Sequence, residues 1–424
     1  MDSYVDLILD NVGQLCVIPA HDGGPQRGHQ LGDLGIITEA AIAIDNGQIV
    51  AIGSRHDLLE NHRALYELDV QGRVVTPGLI DPHTHLIWAG DRADEFEQRL
   101  QGVTYQEIMA AGGGINRTVQ ATRDAMLFEL VDEAKLRLNR MLRHGTTTVE
   151  CKTGYGLNSD TEITMLNAIA LLDAECEIDV VPTFLGAHAI PPEFANDPDG
   201  YVQLLVEQMI PAAAAWQSEN WPGPLYCDVF CEEGAFTLEQ TRLILEAAQL
   251  AGMPLRVHAD EFASLGATAL AVEMGAVSVD HLLATTPDDV VRLGTSATIA
   301  ILLPATPFGL GIANTAPARA LLDAGAALAI ATDCNPGTAW CESMQMPLAL
   351  ATRTLGLTPS QALAAATINA AYAVGRGDII GSIEVGKIAD LVVWDVPDYR
   401  HLGYRFGANL VHTVIKNGEI VVEP

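Results

Sequence analysis

The chain is poor in lysine, in cysteine and in uninterrupted apolar sequence, and each shortage excludes something. Four of its 23 basic residues are lysines, set against 54 acidic residues, for a net charge of −31. Such a surface repels phosphate backbones and anionic bilayers, so neither nucleic acid nor a membrane is expected as a partner. No apolar run approaches the roughly 20 residues needed to span a bilayer. The opening Met1-Asp2-Ser3-Tyr4-Val5-Asp6 has neither the basic nor the apolar region of a secretory leader. Seven cysteines, odd in number and without a spaced framework, fit a reducing cytoplasm better than secretion. Cys227 and Cys231 have the spacing of half a metal site, but no second pair accompanies them, and they read as buried thiols. An anionic substrate of so acidic a protein needs a dedicated local cation.

What is present is a 424-residue chain, 49% hydrophobic, with mean hydropathy +0.20. That suffices for a barrel-sized domain and a smaller one. Both ends alternate apolar and polar residues. Asp45-Asn46-Gly47 and Asn417-Gly418 each sit between short apolar runs and read as hairpin turns. The two ends are expected to pair, giving a composite β-sandwich of residues 1–73 and 375–424. Between them, over 74–374, eight strand-like runs alternate with amphipathic stretches. The runs are Val74–Ile80, Thr146–Cys151, Val180–Leu185, Cys227–Cys231, Leu255–Val257, Ser278–Asp280, Ala297–Leu303 and Leu328–Ala331. Eight β/α alternations predict an α/β fold, a (β/α)8 TIM-like barrel with catalytic groups at the C-terminal strand ends. The stretch from Trp88 to Arg117, with Arg92, Tyr105 and Gly112-Gly113-Gly114, is expected to be a long pocket-shaping loop.

The chemistry-bearing residues fall at those strand ends. The first run leads into His83-Thr84-His85, the fifth ends at His258, the sixth at His281 and the eighth at Asp333. Residues two apart on a strand project to one side, so His83 and His85 can reach one ion. His258 and Asp333 complete an N/O shell for a borderline cation that keeps an open position for water. Such a cation lowers the pKa of bound water toward about 7 and polarises a carbonyl, which suits amide hydrolysis. Asp333 can also accept the water proton. Glu261, three residues after His258, can exchange a proton with a leaving nitrogen or orient substrate, and His281 can hydrogen-bond the water or the developing oxyanion. One metal is expected rather than two, because neither Lys152 nor Glu232-Glu233 is placed to bridge a pair.

These residues resemble the amidohydrolase superfamily, through Pro77-Gly78-Leu79-Ile80-Asp81-Pro82-His83-Thr84-His85 and Gly386-Lys387-Ile388-Ala389-Asp390-Leu391-Val392. Within it the chain is similar to the imidazolonepropionase family of histidine degradation. Ala89-Gly90-Asp91-Arg92, Ala111-Gly112-Gly113-Gly114-Ile115 and Lys152-Thr153-Gly154-Tyr155-Gly156-Leu157 carry that likeness. So do Phe184-Leu185-Gly186-Ala187-His188, Asp228-Val229-Phe230-Cys231-Glu232 and Thr332-Asp333-Cys334-Asn335-Pro336-Gly337-Thr338. The resemblance implies one Zn2+ or Fe3+ per subunit, bound by His83, His85, His258 and Asp333. It implies hydrolysis of 4-imidazolone-5-propanoate to N-formimidoyl-L-glutamate, with Arg92, Tyr155, His188, Glu261, Asn335, Gly337 and Thr338 contacting the ligand. Arg92 offers the carboxylate of such a small anionic molecule a planar fork. Tyr105, Tyr155 and His188 can border its flat ring, and Asn335, Gly337 and Thr338 can offer polar groups to its nitrogens. Glu261 departs from the pattern, since many relatives place Gln there. The main rival is another cyclic-amide hydrolase or a nucleobase-type deaminase with the same metal site. A barrel with a purely structural metal leaves Glu261 and His281 unexplained. Oligomeric state is left open, a homodimer included.

Overall fold

The computed structural model describes residues 3–103, 107–108 and 111–423. The chain starts with five strands, β1 (Ser3–Leu15), β2 (Ile37–Asp45), β3 (Gln48–Ser54), β4 (His62–Asp69) and β5 (Val74–Pro77). Eight more follow: β6 (Leu79–Asp81), β7 (Thr146–Lys152), β8 (Asp179–Ala187), β9 (Tyr226–Cys231), β10 (Leu255–Ala259), β11 (Ser278–His281), β12 (Ile299–Leu302) and β13 (Ala327–Ile330). The chain closes with β14 (Leu391–Trp394), β15 (Val411–Lys416) and β16 (Glu419–Val422).

β1–β5 and β14–β16 form one sheet in the order β16-β15-β14-β5-β1-β2-β3, with β4 on the edge of β1. Its wings curl toward each other. A single core takes Leu9, Ile42 and Ile44 from one wing and Leu391, Val393 and Ile415 from the other, each such burial contributing about 1.5–3 kcal/mol. The two hairpin turns meet: Gly47 O accepts from Ala389 N at 2.9 Å, and a Cβ on Gly418 would stand 2.9 Å from Gly47 Cα. Only glycine, with its positive φ here, fits that approach.

β6 to β13 form the expected eight-stranded parallel sheet in sequence order. Both faces of the sheet are buried; strands such as Ile299-Ala300-Ile301-Leu302 are wholly apolar, whereas Thr146–Lys152 and Ser278–His281 carry buried polar side chains. Closure from β13 back to β6 comes just past the strand ends, through the Thr84–Cys334 bridge, the His85 N to Cys334 O bond of 2.9 Å and the Asp333 N to His83 O bond of 3.2 Å. Helices start at capped sites on the outside. Asn158 accepts from Thr161 N to begin Ser159–Glu175, and Thr237 with Gln240 forms a capping box before Leu238–Leu250.

Two local expectations differ from what is seen. Val74–Ile80 is not one barrel strand but two strands in different sheets, divided at Gly78, whose N–H donates to Asp390 O at 2.9 Å. Trp88 to Arg117 is not simply a loop: it holds a helix over Ala93–Leu100 and the start of another over Ile115–Asp124. Asp91 Oδ1 accepts from Ala93 N at 2.7 Å and starts the first helix, a signal hidden by its polar, short sequence. The helix Arg55–Asn61 and the strand β4 went unread, because an exposed edge strand such as His62–Asp69 carries little apolar periodicity. Tyr105 lies outside the described residues.

Candidate active site

The loop after β6, the end of β10 and the loop after β13 bring His83, His85, His258 and Asp333 together. His258 Nε2 lies 3.4 Å from His85 Nε2, and Asp333 Oδ1 lies 3.5 Å from His83 Nε2 and 3.6 Å from His85 Nε2. A tetrahedral shell with bonds of about 2.1 Å has edges of about 3.4 Å. Three of the six donor–donor edges match that length, and the donors fall in two overlapping groups that share His83: His83-His85-Asp333 and His83-His258-His281. His83 Nε2 is buried and, among the described residues, has no hydrogen-bond partner, an orphaned lone pair that a cation would satisfy. His281 also belongs to a cluster with His83 and His258.

What aims the imidazoles lies behind them. His83 Nδ1 donates to Asp280 Oδ2 at 2.6 Å, and His258 Nδ1 lies 3.0 Å from Asp228 Oδ2. A carboxylate only accepts, so His83 Nδ1 carries the hydrogen and its Nε2 presents its lone pair to the centre, while the His258 and Asp228 side chains approach without the alignment of a hydrogen bond. Burial holds His83, His85 and His281 well below the ordinary histidine value, in the neutral form that ligation needs. Burial likewise raises Asp280, to about 6. Burial works against Asp228 too, but His258 and Lys152 together hold its pKa below the carboxylate range.

His281 and Asp333 both adopt left-handed backbone, with φ of 80° and 54°. That costs on the order of 1–2 kcal/mol at a non-glycine residue. The left-handed His281 breaks the alternation of β11, so Asp280 and His281, adjacent in sequence, both reach the centre. Thr306 Oγ1 donates to Asp333 Oδ2 at 2.6 Å, which leaves Oδ1 for the shell. Glu261 follows β10, with Oε2 3.7 Å from His281 Nε2. Burial, with the charges of Asp333 and Glu232, raises Glu261 well above the ordinary carboxyl value. Glu232 Oε2 accepts from Phe262 N at 2.9 Å and Ala263 N at 3.3 Å, anchoring the loop that carries Glu261.

A cavity of about 730 Å³ opens on this centre and is lined by His85, His258, His281, Glu261 and Asp333 together with Arg92, Tyr155, His188, Asn335, Gly337 and Thr338. His188 stacks on His85 with centroids 4.8 Å apart, and Tyr155 lies 5.3 Å from His188. His188 Nδ1 donates to Gly154 O at 2.9 Å, so its Nε2 is an acceptor. Arg92 Nε donates to the buried Glu95 Oε2 at 2.8 Å, leaving the terminal Nη edge. The N–H groups of Gly337 and Thr338 both donate to Asn335 Oδ1 at 2.8 Å and close a turn. Arg99, Asn116 and Glu95 line the cavity without having been singled out. Asp228 and Asp280 were also passed over, although a carboxylate inside an apolar barrel strand is itself a signal.

A model of the amidohydrolase family matches residues 74–421. The chain is 50% identical over 420 residues to the imidazolonepropionase of Herpetosiphon aurantiacus, covering 99% of this chain and 97% of that protein. It is 49% identical over 421 residues to the imidazolonepropionase of Chloroflexus aggregans, covering 98% of each. Among solved structures, 5-methylcytosine deaminase from Klebsiella pneumoniae superposes with a TM-score of 0.73 at 17% identity, covering 98% of this chain and 97% of that one. A zinc-bound adenosine deaminase from Xanthomonas campestris gives 0.69 at 20%, covering 100% and 94%. At such identity these two bear on the fold alone. The chain belongs to the amidohydrolase family. Within that family its near-full-length identity puts it among the imidazolonepropionases.

Proposed function

We propose that the protein hydrolyses the cyclic amide of 4-imidazolone-5-propanoate to N-formimidoyl-L-glutamate, a step of histidine degradation, with one Zn2+ or Fe3+ held by His83, His85, His258 and Asp333. The observation that carries this is one cavity lined by the donor residues His85, His258 and Asp333, with His83 grouped beside them, and by the Arg92 guanidinium. The cation supplies a water of lowered pKa and a polarised ring carbonyl. Arg92 binds the propanoate through its Nη edge, while Tyr155 and His188 border the ring. Asn335 supports that wall by closing the turn that carries Gly337 and Thr338. Asp333 accepts a proton from the attacking water. His281 stabilises the oxyanion as the carbonyl carbon becomes tetrahedral. Glu261, protonated through burial, gives its proton to the ring nitrogen as the C–N bond breaks. Gln at that place could orient substrate but not deliver the proton.

Seven free thiols support the reducing cytoplasm as the place of action. Among the described residues no helix is long and apolar enough to cross a membrane. The test is turnover of imidazolone propanoate beside guanine and cytosine, with products identified by NMR. Formation of N-formimidoyl-L-glutamate, with no ammonia from the nucleobases, is the expected result. Nucleobase deamination without opening of the imidazolone ring would overturn the proposal in favour of a deaminase.

A further inference from the structure

Lys152 ends β7 with its side chain fully buried in the barrel, and none of the steps above uses it. Its Nζ lies 2.9 Å from Glu150 Oε1, 2.9 Å from Asp228 Oδ2 and 3.9 Å from Asp280 Oδ2. Each carboxylate leads to a different part of the donor cluster. Asp280 accepts from His83 Nδ1, and Asp228 faces His258 Nδ1. Glu150 Oε2 accepts from the N–H of Thr84 at 3.1 Å, the residue between His83 and His85. The Lys152 N–H itself donates to Thr84 O at 2.9 Å. Three of the four ligands thus trace back to one residue.

We propose that Lys152 is the positioning residue of the metal centre, joining Asp228, Asp280 and Glu150 so that His83, His85 and His258 are spaced for a cation before it arrives. The ammonium touches neither substrate nor reacting atoms. Three carboxylates buried without it would repel and spread, and the imidazoles they hold would turn with them. A second physical role would act with the opposite sign. If Lys152 only balanced charge, its removal would leave a more negative centre that binds cations more tightly. The sign of the change in affinity separates positioning from charge balance.

The experiment is the zinc dissociation constant by chelator competition, with the visible spectrum of the cobalt-loaded protein as a second readout, for wild type and Lys152→Met. Positioning predicts zinc bound about 10–100-fold more weakly and a changed cobalt spectrum, because ligand angles shift. Equal or tighter zinc binding with a wild-type cobalt spectrum overturns the proposal, whatever happens to turnover. Should Lys152→Met fail to fold, Glu150→Gln decides. It preserves shape while breaking one ion pair; because losing a carboxylate charge by itself weakens a cation site, the cobalt spectrum is the deciding readout, a changed spectrum is expected, and an unchanged one overturns the proposal. The inference rests on the metal reading of the four ligands. A wild-type protein that takes up neither zinc nor cobalt overturns both, whereas tight wild-type binding with unaffected variants overturns only the part given to Lys152.

Discussion

Gly337 and Arg92 are fitted to one another: a Cβ on Gly337 would stand 2.6 Å from Arg92 Nη1. The guanidinium rests on bare backbone, and its Nε is fixed by Glu95 on the other side. Gly337→Ala should therefore displace the Nη edge without touching the metal ligands. KM for imidazolone propanoate is expected to rise about ten- to a hundredfold, the effect of a displacement near 1 Å, with metal content unchanged. Steady-state kinetics checks this, and an unaltered KM would separate Gly337 from the anchor.

Arg92 itself should matter more. Truncating one partner of a charge-assisted pair costs on the order of 2–5 kcal/mol. Arg92→Ala should lower kcat/KM for imidazolone propanoate by roughly two to three orders of magnitude, and Arg92→Lys should recover only part, lacking the planar fork. An analogue without the carboxylate should be poor for wild type and almost indifferent to the substitution. Equal losses on charged and uncharged substrates would move the anchor elsewhere.

Asp333→Asn separates ligation from proton transfer. An amide oxygen can still touch a cation but cannot take the water proton, so kcat should fall far more than metal content. Elemental analysis beside single-turnover rates makes the comparison. Near-normal turnover would remove the base role from Asp333.

A fourth expectation concerns the junction between sheet and barrel. A Cβ on Gly78 would stand 2.1 Å from Thr147 Oγ1. Gly78→Ala should destabilise the metal-free protein by about 1–3 kcal/mol, an overpacking cost. Thr147→Ala should relieve part of that, and the coupling is read from urea midpoints of the double-mutant cycle. Additive effects would mean the two do not meet.

The parts of this structure that repeat a period were readable in the chain. Seven of the barrel runs announce themselves as short stretches between amphipathic segments, and His83, His85, His258 and Asp333 stand out at or just past strand ends. The Asn46-Gly47 and Asn417-Gly418 turns are equally plain. What was not legible depends on contacts distant in sequence. Nothing near Arg92 says that Glu95 occupies its Nε, and nothing near Lys152 says that carboxylates from β9 and β11 converge on it. β4 escaped because an edge strand needs no apolar face. The split at Gly78 escaped because both halves of Val74–Ile80 are buried, in two different sheets, and burial alone does not say in which. Asn335, Gly337 and Thr338 line the cavity, but their mutual hydrogen bonds depend on turn geometry that the sequence does not display.

The central claim is that hydrolysis depends on one cation held by His83, His85, His258 and Asp333. The most direct measurement is activity of the chelator-stripped protein titrated with zinc or iron, for wild type and His258→Ala. The stripped wild type should be inactive and regain imidazolone propanoate hydrolysis linearly up to one equivalent per subunit, while His258→Ala neither retains metal nor recovers. Full activity in the stripped wild type, or stoichiometric metal in His258→Ala, would contradict the account.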